Sequence, residues 1–200
     1  MEQNIFRPRT LVIILGIWLI LALLLGGFGW VAALPPPLPQ VVLLALVGAL
    51  LFSYRRFPGF QQWILSVPIS VLVSVHLVRF VGIYFLWLHE HRRLPFAFAV
   101  TGGWGDILTA SFAVMLLLLR PPSPKIYWMW NTFGLADILF VVTTAARLAF
   151  ADPIPMAPLL RLPLSLLPTF AVPIIIFTHW ILFIRLHRGI MLPQRTRTKQ

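Results

Sequence analysis

Apolar residues fill this chain in long runs, and short polar or proline-rich clusters punctuate them. The runs are ~17–26 residues long, the length at which an α-helix crosses the ~30 Å hydrocarbon core of a bilayer. Six spans are predicted, at 11–34, 38–54, 63–88, 95–119, 127–150 and 164–184. The breaks between them have local causes. Pro35-Pro36-Pro37-Leu38-Pro39 is a stiff uncharged turn, because proline cannot continue a helix. Arg55-Arg56 followed by Phe57-Pro58-Gly59 closes the second span, His89–Arg93 the third and Arg120–Lys125 the fourth. Asp152–Pro163, with Pro153, Pro155, Pro158 and Pro163, reads as an extended loop at the membrane interface. The expectation is therefore an all-α polytopic bundle, one transmembrane domain over 1–200 ending in a basic tail, 185–200.

Composition sharpens this picture. The chain of 200 residues is 60% hydrophobic and 10% charged, where a soluble domain carries about 25% charged residues. The first run follows Arg7 and Arg9 like a signal peptide, but it exceeds the usual ~7–15-residue apolar region, so an uncleaved first span is expected. The net charge of +11 does not indicate a nucleic-acid partner, because the basic residues gather at the span ends. Arg7, Arg9, Arg55, Arg56, Arg120, Lys125, Arg185, Arg188, Arg195, Arg197 and Lys199 fall on one side, and Arg92, Arg93, Arg147 and Arg161 on the other. The positive-inside rule then puts both termini in the cytoplasm, and the basic loops can meet anionic lipids. Trp30, Trp63, Trp87, Trp128 and Trp130 fall near span ends, where an aromatic belt would lie. With no cysteine, the chain has no disulfide and no thiolate metal site.

Two segments stand out against the apolar background. Thr101-Gly102-Gly103-Trp104-Gly105-Asp106-Ile107-Leu108 in span four and Thr132-Phe133-Gly134-Leu135-Ala136-Asp137-Ile138-Leu139 in span five share one pattern, 31 residues apart. Each aspartate lies about eleven residues from its span's start, roughly 16 Å along a helix, and so near the bilayer midplane. Consecutive spans run antiparallel, and the small residues around the aspartates are expected to let spans four and five approach closely.

Charges at that depth are costly and should turn inward to pair. The inward set is His76 and Arg79 in span three, Asp106 in span four, Asn131 and Asp137 in span five, and His179 in span six. Arg79 is the expected partner of both aspartates, since a guanidinium can bridge two carboxylates. Asn131 is expected nearer the headgroups, in a structural role. Several readings follow. The cluster can be a binding site or proton relay in a small carrier, with Pro168 and Pro173 supplying the broken helix found at transport sites. Alternatively, His76 and His179 can ligate a haem b. A metal on these histidines and aspartates ranks last, because no H-E-x-x-H spacing occurs and Arg79 would repel the cation. The polar groups can also simply lock helices together in a non-catalytic scaffold subunit. No residue is assigned a catalytic role and no cofactor is required, so an enzyme is the weaker expectation. The small size is compatible with a homodimer.

Three groups of phrases also resemble a family of roughly 200-residue bacterial membrane proteins of no known activity. They are Arg79-Phe80-Val81-Gly82 with Leu94–Ala99 and Gly103-Trp104-Gly105-Asp106, then Trp130–Asp137, then Leu167–Pro173 with His179. The resemblance implies a six-span protein of the bacterial cytoplasmic membrane. It covers about residues 75–180, singles out Arg79, Asp106, Asn131, Asp137, Pro168, Pro173 and His179, and implies no reaction.

Overall fold

The structure is a computed structural model that describes residues 8–118 and 123–190. Its helices are α1 (Pro8–Gly27), α2 (Leu38–Arg56), α3 (Pro58–Ser66), α4 (Ile69–Ser74), α5 (Val81–Glu90), α6 (Phe96–Leu118), α7 (Pro124–Ala151) and α8 (Val172–His187). Six helical stretches are long and apolar enough to cross a membrane: Arg9–Gly27, Leu38–Arg56, Ile69–Glu90, Phe96–Leu118, Pro124–Ala151 and Leu167–His187. The protein is thus an all-α, multi-pass bundle. Arg7, Arg120, Arg195, Arg197 and Lys199, which bear on its orientation, lie outside the described residues, as do Leu119 and most of the tail.

Side-chain pairings give the helix directions. Between α6 and α7, Trp130 Nε1 donates to the Thr109 carbonyl, while Gly105 lies against Asp137, so the two helices run antiparallel. Between α7 and α8, Trp128 meets Phe183 and Asn131 meets His179, again antiparallel. The tightest approach of α6, however, is to α5 rather than to α7. A Cβ on Gly82 would run into the Gly103 carbonyl oxygen, so only glycine allows this crossing. Gly105 is constrained differently, because a Cβ there would strike the Asp137 carboxylate.

Spans three and six are both broken, and each break is repaired by a neighbour. The stretch expected as 63–88 divides at Val67-Pro68 into α3 and a span beginning at Ile69, because proline disfavours helical backbone in the residue before it. The Val67 carbonyl freed there accepts a hydrogen bond from Arg185 Nη1. Arg185, expected at the start of a basic tail, is instead fully buried, and its Nε donates to the Ile190 carbonyl at 3.2 Å. In span six, Leu167–Ala171 forms a π-helical segment before α8. Pro173 has no N–H to return to the Thr169 carbonyl four residues earlier, and Trp18 Nε1 of α1 donates to that oxygen at 2.8 Å.

Two further differences from the sequence expectation concern the links. The first helix ends at Gly27 rather than near Leu34, and Gly29 adopts φ +75° in the turn that follows. The proline-rich stretch 152–163 is not extended throughout, since Ile154–Leu160 forms a 3₁₀ helix and Met156 is buried.

Candidate functional site

Arg79 lies at the centre of the bundle, 1% exposed. It sits in a 3₁₀ segment, Val75–Phe80, inserted between α4 and α5. At three residues per turn, positions three apart eclipse, so His76 and Arg79 stack on one inward face. The guanidinium uses all three nitrogens. Nε donates to Asp106 Oδ1 at 2.6 Å, Nη1 donates to the Gly134 carbonyl at 2.8 Å, and Nη2 donates to Asp137 Oδ2. Asp106 is buried and Asp137 half-buried. One formal positive charge therefore faces two formal negative ones.

A second polar cluster adjoins the first across Gly134. His179 and Asn131 hold each other, with Asn131 Nδ2 donating to the His179 carbonyl at 3.0 Å and Asn131 Oδ1 2.8 Å from His179 Nδ1. His76 Nε2 lies 3.2 Å from Thr178 Oγ1. The His76 and His179 ring centroids are 4.2 Å apart, and Trp130 lies 4.9 Å from His76. His76 Nδ1 and His179 Nε2 are buried without a hydrogen-bond partner. The two imidazoles are in contact. Among the described residues, no group of three or more His, Cys, Asp or Glu is placed to hold a metal ion.

The Arg79–Asp106 pair also forms part of the floor of a chamber. A cavity of about 90 Å³ has Arg79 and Asp106 on its lining, with aliphatic walls from Leu43, Ile138, Val142, Leu159 and Ile175. Leu167 and Pro168 of the π-helical segment complete one wall. A second cavity, of about 260 Å³, carries Ala32, Pro36, Pro153 and Ile154 at the loop end of the bundle. The two share Pro39, Gln40, Ala145, Leu159 and Leu160, so they adjoin at these residues, the neck of the recess. Asp137, His76, His179 and Asn131 line neither cavity. The two carboxylates are thus inequivalent, with Asp106 facing the chamber.

All six residues selected from the sequence lie in these two adjoining clusters. Arg79 with Asp106 and Asp137 forms one, and His76, His179 and Asn131 the other. Asn131 is fully buried and bonded to His179. Trp130, read as part of an aromatic belt, is also interior, 5% exposed, with its indole N–H bonded to α6. Gln40, Thr109 and Thr178 escaped the sequence reading. Threonines and a near-terminal glutamine are common in such helices, and nothing in their spacing distinguished them.

The six apolar helices and the buried ionic cluster fit a polytopic membrane protein. Residues 36–187 match a domain of unknown function, DUF8737, and the chain belongs to that family. That region contains both polar clusters and excludes α1. No curated protein and no solved structure matches the chain.

Proposed function

We propose that this protein is a small proton-coupled carrier or small-molecule-binding membrane protein, with Arg79, Asp106 and Asp137 as its site. The observation that carries this reading is the cluster's charge. Two carboxylates bond to one guanidinium whose nitrogens are all engaged, and an unbalanced charge in an apolar core is costly. One proton on the carboxylate pair balances it, and a bound cation can take that proton's place. The chamber supports exchange, because Asp106 lines it. The half-broken span six forms part of the wall, as broken helices do at transport sites. The Lys and Arg bias of the loops supports an orientation with both termini in the cytoplasm, and the family resemblance supports a bacterial cytoplasmic membrane.

Infrared spectroscopy of the purified protein tests this reading. With ¹³C-labelled aspartate, the carboxylic-acid C=O band at neutral pH shifts and is lost in Asp106→Asn and Asp137→Asn. A spectrum without a protonated aspartate band at neutral pH overturns the proposal.

A further inference from the structure

We propose that the ligand of the recess is a small primary alkylamine, which takes the site's proton on binding. The inference rests on the proton-exchange reading above and adds the ligand's chemistry. Three observations select it. First, one guanidinium faces two carboxylates, so the cluster's net formal charge is negative and favours a cation over an anion. Second, Asp106 lines the inner chamber beside Arg79 and gives a ligand an acceptor there. Third, the remaining walls are aliphatic. The inner chamber follows α7 from Ile138 to Ala145, about 10 Å at 1.5 Å per residue, which suits an extended alkyl chain.

The proton step balances without a further reactant. A neutral amine enters the apolar recess and its nitrogen lone pair takes the proton held by the carboxylate pair. The O–H bond breaks and an N–H bond forms. The resulting ammonium faces the Asp106 carboxylate, while its tail runs along the aliphatic inner chamber toward the neck. Departure of the neutral amine returns the proton.

The test uses the full chain in nanodiscs with n-hexylamine, hexanoate and 1-hexanol as probes, followed by calorimetry and infrared difference spectroscopy. The expected result is saturable binding of hexylamine, with loss of the carboxylic-acid band at saturation, and no saturable binding of hexanoate or hexanol. Ala145→Phe fills the neck and abolishes binding while the carboxylic-acid band of the empty protein persists. If the band is present but hexylamine does not saturate, or hexanoate binds as tightly, the amine assignment falls and the proton site stands. If the band is absent from the empty protein, both fall. Hexylamine binding unchanged in Ala145→Phe overturns the recess as the site.

Discussion

Replacing Arg79 by methionine keeps side-chain bulk and removes the charge that holds three helices together. Asp106 loses its 2.6 Å partner, the Gly134 carbonyl loses its 2.8 Å donor, and Asp137 loses Nη2. An ordinary interhelical polar contact in a membrane protein is worth about 0.6 kcal/mol. Breaking a buried ion pair costs about 3–5 kcal/mol, because the surviving charge has no compensation. The second figure applies here, since the Asp106 side chain is only 4% exposed. The half-buried position of Asp137 moderates its share, which places Arg79→Met near the lower end, about 3 kcal/mol. Reversible unfolding in mixed micelles, followed by tryptophan fluorescence, measures it. The loss shrinks as pH falls, because protonation removes the stranded negative charges. Adding Asp106→Asn and Asp137→Asn to Arg79→Met recovers most of the loss, because the triple variant buries no charge. A loss below about 1 kcal/mol, or a triple variant no better than the single one, refutes the charge reasoning.

Other parts of the structure make separate predictions. Gly105→Ala drives a methyl group into the Asp137 carboxylate and costs about 1–3 kcal/mol in the same unfolding assay, whereas Gly48→Ala, in open space, is neutral or slightly stabilising. Asn131→Leu strands His179 Nδ1, costs about 1–3 kcal/mol, and changes the imidazole ¹⁵N shifts of His179 in a histidine-labelled sample. Trp18→Phe leaves the Thr169 carbonyl unpaired and costs about 1 kcal/mol. Hydrogen exchange then rises in Leu167–Ala171 and leaves the Arg79 segment unchanged.

Much of the architecture is legible in the sequence because membrane burial writes it in a simple code. Long apolar runs with proline and arginine at their ends locate six helices, and lone charges inside those runs point inward for want of any other low-cost place. Arg79, Asp106 and Asp137 are therefore visible at once, and their contact follows from shared depth. What stays hidden depends on local backbone chemistry. Pro68 breaks span three only because its neighbours allow the chain to turn there, and Arg185 becomes interior because that break exposes the Val67 carbonyl. Charge alone placed Arg185 outside. Trp130 shows the same limit: a tryptophan near a span's end suits a belt as well as a core, and only the Thr109 carbonyl opposite it decides. The recess is also illegible in the sequence, since Gln40, Ala145 and Leu159 come from three separate elements with no shared pattern.

The contact between one arginine and two aspartates is the central structural claim, and labelling can reach it directly. The chain contains three aspartates: Asp106, Asp137 and Asp152. Solid-state NMR of ¹⁵N-arginine, ¹³C-aspartate protein in lipid bilayers measures dipolar coupling between guanidinium nitrogens and carboxyl carbons. Two of the three carboxyls are predicted to couple strongly to one arginine, and both couplings vanish in Arg79→Met. A spectrum in which neither Asp106 nor Asp137 couples to Arg79 contradicts the site.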